Sequence, residues 1–137
     1  MWWIYALLSA VFAALTAIFA KVGIKGVDTD LATGIRTVII LLLAWAIVFY
    51  RGSNHTIGSL TKLNWTFLVL SGCATGLSWI FYFKALQLGK VSQVAPVDKL
   101  SVAIAIVLSV VFLGEPLTFK SAAGAILIIA GTLVLIF

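Results

Sequence analysis

Charge is what this chain has least of. Only 9% of its 137 residues are Asp, Glu, Lys or Arg, where a soluble domain carries about 25%. With 64% hydrophobic residues and a mean hydropathy of +1.24, a fold of this size could not hide its apolar surface from water. A water-soluble enzyme, a nucleic-acid-binding domain and a disordered tail are therefore excluded. The single cysteine, Cys73, excludes an internal disulfide and a cysteine-built metal cage, and reads as a small packing residue in a helix. The single histidine, His55, lies in a polar stretch. HExxH, GxSxG, P-loop and dinucleotide GxGxxG patterns are all missing, and Gly23 and Gly26 are too sparse to cradle a phosphate. No pair of carboxylates stands inside an apolar run, so no catalytic apparatus, metal or cofactor is expected. Nor is there a ring-forming polar pattern of the kind a pore filter needs. The net charge of +5 would suit nucleic acid if it were clustered, but nine Lys and Arg spread along the whole chain act as topology marks instead.

What is present is long apolar runs. A spanning helix needs about 20 mostly apolar residues, and five segments qualify: about 2–20, 31–50, 63–85, 92–113 and 119–137. The connections are too short to fold by themselves, so the pattern predicts one all-α integral membrane domain of five helices. The first segment lacks the basic start and short core of a signal peptide, because no Lys or Arg precedes Lys21, and is read as a retained helix. The Asn54-His55-Thr56 sequon is read as chance. Asp28, Asp30 and Glu115 lie near helix ends, where capping or hydration explains them. Trp2, Trp3, Trp65 and Phe137 fit an interfacial aromatic belt.

Basic residues are nearly balanced across the membrane. Arg51, Lys62 and Lys120 fall on the side of the N-terminus, and Lys21, Lys25, Arg36, Lys84, Lys90 and Lys99 on the other. Three against six becomes three against four if Arg36 and Lys99 lie within helices. That bias points the C-terminus weakly towards the cytoplasm and allows insertion in both orientations as readily as in one.

Segment length forces some charges into the bilayer. Leu100 to Leu113 is only 14 residues, so a full fourth span must take in Asp98 and Lys99, with Pro96 opening or kinking its first turn. The run from Val38 to Tyr50 is also short, so the second span takes in Arg36; Lys84 closes the third. Arg36, Lys84, Asp98 and Lys99 thus form a charge cluster towards one membrane side, a vestibule attractive to anionic or zwitterionic groups. Snorkelling explains Lys84 and Lys99 better, whereas Arg36 and Asp98 suit an interior role. Adjacent residues on a helix point about 100° apart, so Asp98 is expected to pair with Lys84 or Arg36 rather than with Lys99.

The third helix aligns Ser71, Thr75, Ser78 and Tyr82 at helical steps, with Gly72, Gly76, Trp79 and Phe83 beside them. The first helix carries a small-residue row through Ala6, Ala10, Ala13, Ala17 and Ala20, and the fourth aligns Asp98, Ser101, Ala105 and Ser109. The functional reading is a substrate cavity between helices one, three and four, lined by Ser71, Thr75, Ser78, Trp79, Tyr82 and Ser101. The competing reading is dry packing, for which hydroxyls and the Gly72–Gly76 pair are ordinary material. Gly124 and Gly131 mark the fifth helix as a packing or dimerising element.

The stretch from Tyr82 to Gly131 resembles the EamA-type repeat of the drug/metabolite transporter superfamily. The resemblance lies in Ser92-Gln93-Val94-Ala95-Pro96-Val97-Asp98-Lys99-Leu100-Ser101, then Gly114-Glu115-Pro116-Leu117-Thr118, Gly124 and Gly131, with Arg36 matching upstream. Family members usually carry two such repeats in inverted orientation, so the resemblance implies a half-size member that must pair. It also implies export or exchange of metabolites, amino acids or drugs across a bacterial or archaeal cytoplasmic (inner) membrane. Small multidrug resistance proteins use a glutamate in their first helix, and this first helix has no acid, so that role is carried onto no residue here. Five spans place the termini on opposite sides; the inverted half then comes from a second, oppositely inserted copy or from a separately encoded half. The expected partners are another copy in an antiparallel homodimer, membrane lipid and a small-molecule substrate, with no nucleic acid. The alternative is a membrane scaffold or accessory subunit that transports nothing.

Overall fold

The computed structural model describes all 137 residues and contains no strands; 86% of the chain is helical. In chain order, α1 is Trp2–Gly23, α2 Thr29–Tyr50, α3 Lys62–Leu88, α4 Val91–Asp98, α5 Leu100–Leu113 and α6 Phe119–Ile136, with a 3-10 stretch at Ser53–Ser59. Counting α4 and α5 as one interrupted span, five segments are long and apolar enough to cross a membrane.

The ends of these helices follow local chemistry. α1 stops at Gly23, and Gly26 turns the chain with φ +70°, a value that costs a side-chain-bearing residue more than glycine. Asp28 caps α2: its carboxylate accepts hydrogen bonds from the amides of Asp30 and Leu31, both at 3.0 Å. α3 starts three residues after the 3-10 stretch, where the Thr61 hydroxyl accepts from the Asn64 amide at 3.2 Å. It runs on to Leu88, one turn beyond the expected 85, since nothing in 86–88 opposes a helix. Gly114, at φ +67°, closes α5, and the Thr118 hydroxyl caps α6 by accepting from the Ser121 amide at 3.1 Å.

The fourth span is not one continuous helix. Pro96 carries no N–H and its ring crowds the preceding turn. Just past it the backbone tightens: the Lys99 amide donates to the Pro96 carbonyl and the Val102 amide to the Lys99 carbonyl, each at 3.0 Å and three residues back. The helix therefore stops at Asp98 and restarts at Leu100.

Two compact units make up the chain: Met1–Phe19 with Leu88–Phe137, and Ala20–Gln87. In the first, α4, α5 and α6 pack together, Ala103 and Thr132 are buried, and the Thr132 hydroxyl donates to the Pro96 carbonyl at 3.2 Å. In the second, the core is Ile24, Thr29, Thr33, Phe83 and Leu86, with Phe83 and Leu86 only 1% and 0% exposed. That core is latched by polar side chains. Lys21 Nζ donates to the Leu86 carbonyl, and Gln87 Nε2 donates to the carbonyls of Ile24 and Val27 at 3.4 and 3.0 Å. The latch joins the end of α1 and its following loop to the end of α3, as an up-and-down order of spans requires. Most other large apolar side chains are exposed. In water that surface would be ruinous; against hydrocarbon it costs little.

Candidate functional site: an arginine seated on aromatic rings

The core of the Ala20–Gln87 unit comes from two matching stripes. On α2, Thr29, Thr33 and Arg36 follow at steps of four and three; on α3, Trp79, Phe83 and Leu86 do the same. Thr29 and Thr33 are buried, which turns the α2 stripe inward and carries Arg36 with it. The Arg36 guanidinium carbon lies 4.5 Å from the centre of the Trp79 ring and 4.7 Å from that of Phe83. Arg36 stands seven residues into α2, or about 10 Å from its start at 1.5 Å per residue. Trp79 and Phe83 average the same distance from Leu88, so both helices place the group at one depth, about two turns inside the span.

An arginine at a span's centre costs about 2.5–3.5 kcal/mol on insertion scales. A cation over a ring face recovers about 0.5–1 kcal/mol when exposed and about 2 when desolvated. Two rings therefore offset much of the cost of Arg36. They cover guanidinium surface but take none of its donors, and Tyr82 is near enough to interact with the group electrostatically. Tyr82 extends the aromatic group, its ring 6.1 Å from that of Phe83.

The hydroxyl row of α3 lies beside this stripe. Ser71, Thr75 and Ser78 are exposed and Tyr82 half-buried; the Thr75 hydroxyl is turned back on the Ser71 carbonyl at 2.8 Å. Trp79 faces Arg36 and is half-buried. Ser101, on α5, is exposed. The structure thus brings Arg36 to Trp79 and Phe83 and leaves Ser71, Thr75 and Ser78 on an open face of α3.

The charge cluster is rearranged too. Asp98 pairs with its neighbour Lys99, Oδ2 to Nζ at 3.3 Å. The expectation failed because the 100° rule holds only on a continuous helix, and the helix is broken between these two residues. Their side chains are 35% and 57% exposed and Lys84 is exposed as well, as snorkelling lysines are. Asp98→Asn should therefore cost about 1 kcal/mol or less, as for an exposed pair. A full-length Asp98→Asn chain that no longer extracts as a monodisperse species in mild detergent would show the pair to be buried after all.

A methyl added at Gly72, Gly76, Gly124 or Gly131 would meet nothing within 4 Å, so none of them admits a neighbouring helix within this chain. Pro96 does engage one, through its carbonyl and Thr132. Sequence reasoning missed Lys21 and Gln87. The signal for Gln87 was a polar side chain at a helix end that must lie beside a loop with unpaired carbonyls.

Comparison with known proteins bears on all 137 residues. The profile of the EamA-like transporter family matches residues 1–137. An uncharacterised transporter in the cobO 3′ region of a Sinorhizobium species is 49% identical over 134 residues, covering 98% of this chain and 95% of that protein. An uncharacterised protein of Methanocaldococcus jannaschii is 30% identical over 132 residues, covering 96% and 93%. Both relatives are thus single-repeat in size. No solved structure matches the chain.

Proposed function

The chain belongs to the EamA-like transporter family, and from that premise we propose that it moves a small metabolite, amino acid or drug across a bacterial or archaeal cytoplasmic membrane. It works by alternating access as an antiparallel homodimer, its two copies inserted in opposite orientations. Inverted halves around a midplane site are a common transporter design, and five spans give a chain whose own halves cannot supply the inversion. The observation that carries the proposal is the hydroxyl row of α3. Ser71, Thr75 and Ser78 stand next to the Arg36–Trp79–Phe83 cluster, and the chain that bears them leaves them uncovered. In the dimer this face lines the substrate path. Efflux is the direction the family resemblance favours.

Cysteines placed at Ser71, Thr75, Ser78 and Tyr82 on a Cys73→Ser background should react with a membrane-impermeant thiol reagent. Cysteines at Leu127 and Leu133, exposed on α6, should stay protected by lipid. Uniform protection of the α3 row would favour the scaffold reading, in which the row is packing against a partner.

A further inference from the structure

We infer that the Arg36 guanidinium, seated on Trp79 and Phe83, receives a negatively charged group of the transported molecule, a carboxylate or a phosphoryl oxygen, and that this molecule carries an apolar or aromatic part beside the charge. The inference rests on the transport reading and names its substrate class.

No ion pair joins Arg36 to a carboxylate of its own unit. The only ion pair is Asp98 with Lys99, yet Arg36 lies about two turns inside its span on an inward stripe. A joint between α2 and α3 needs no charge. Leucine or methionine would fill the same place without desolvating a cation, and replacing buried charges by apolar groups is often neutral or stabilising. The charge is therefore retained for something outside the chain.

The geometry leaves one kind of occupant. The two rings sit against the guanidinium, and its N–H donors lie in one plane. Two parallel donors match the two oxygens of a carboxylate or phosphoryl group. A cationic molecule is repelled here, and a neutral carbonyl engages the donors without the added strength of a charged acceptor. The fork is also held in place. Phe83 is buried and cannot swing away, and Thr33, one turn before Arg36, is pinned by its hydroxyl donating to the Thr29 carbonyl at 2.8 Å. The rims of Trp79 and Tyr82 then offer apolar surface next to the bound charge.

The test measures binding of labelled benzoate, phenyl phosphate and the neutral twin benzamide to the full-length protein in phosphatidylcholine nanodiscs. Benzoate or phenyl phosphate should bind saturably and at least about tenfold more tightly than benzamide, as expected for a paired ionic fork against a neutral amide. Arg36→Gln should abolish that preference, and Arg36→Lys should weaken anion binding about fivefold or more, because an ammonium is a point charge without the fork. Lys120→Gln, which removes an exposed charge in the first turn of α6, should leave the preference intact. If Arg36→Gln fails to fold by circular dichroism and gel filtration, Arg36→Lys and the comparison of twins decide. Equal binding of benzoate and benzamide, no saturable anion binding up to millimolar concentration, or an unchanged preference in Arg36→Lys would overturn the inference. Replacing part of the phosphatidylcholine by phosphatidylglycerol separates the sources of the anion: displacement of benzoate identifies a lipid headgroup phosphate, and undiminished binding identifies a free anion. Arg36-dependent binding without uptake into vesicles would sink the transport reading alone. Uptake of neutral or cationic compounds that ignores Arg36→Lys would sink this inference alone.

Discussion

Phe83→Ala should be the most destabilising single substitution in the chain. The side chain is 1% exposed, forms the core of the Ala20–Gln87 unit with Leu86, and supports Arg36. In soluble proteins, emptying such a site costs about 3–5 kcal/mol. Here the unfolded reference is a helix in lipid, where a phenyl ring stays in hydrocarbon, so the transfer part shrinks and the cavity remains. The expected loss lies towards the lower end of that range, with the unsupported arginine adding to it. SDS-driven unfolding in mixed micelles measures it, and Phe81→Ala provides the contrast. Phe81 is 68% exposed on the same helix and should lose little. Equal losses at both positions would mean that Phe83 is not core.

A chain confined to one orientation should lose at least about tenfold in dimer yield and in transport, because its inverted mate is gone. The three-against-six distribution of basic residues can be tilted either way. Arg51→Ala with Lys62→Ala removes two of the three charges on the N-terminal side and should fix that side outside. Ser53→Lys, Thr56→Lys and Ser59→Lys, all in the exposed or half-exposed 3-10 stretch, should with Lys25→Ala fix it inside. C-terminal reporters read the orientation, and a Ser78→Cys crosslink on the Cys73→Ser background reads the dimer. Each variant alone should fail and the two expressed together should recover. Full dimer and full transport from one fixed orientation would refute the antiparallel assembly.

The spans were legible in the sequence because lipid imposes a length and a composition, and both can be counted. Arg36 was legible as an interior group for the same reason: the apolar run after it is too short to span alone. Its partners were only half legible. Trp79 and Phe83 stand out as a row on α3, but which row of α3 meets α2 depends on how the two helices are rotated and slid together, and single-helix periodicity is silent on that. The hydroxyl row was the more conspicuous pattern, and it lies next to the face that Arg36 meets. The Asp98–Lys99 pair was misjudged because Pro96 acts beyond its own position, ending the helix two residues on. Lys21 and Gln87 stayed hidden because their partners are backbone carbonyls 60 to 65 residues away, which no side-chain pattern reveals.

That latch also times the making of the protein. Its bonds join residues 60 to 65 positions apart, Lys21 with Leu86 and Gln87 with Ile24 and Val27. None of them can form until the translation machinery has delivered the end of α3. While the nascent chain stops at α2, Arg36 has neither ring beneath it, and the loop at Ile24–Val27 has no side chain to hold it. During that interval the first two helices lack the bonds that later hold their loop to α3. Once Gln87 docks, reversal would require breaking the core and carrying Arg36 through the bilayer without its rings. The core that seats Arg36 is therefore complete only once roughly the first two-thirds of the chain has been made, because its last members, Leu86 and Gln87, arrive at that point.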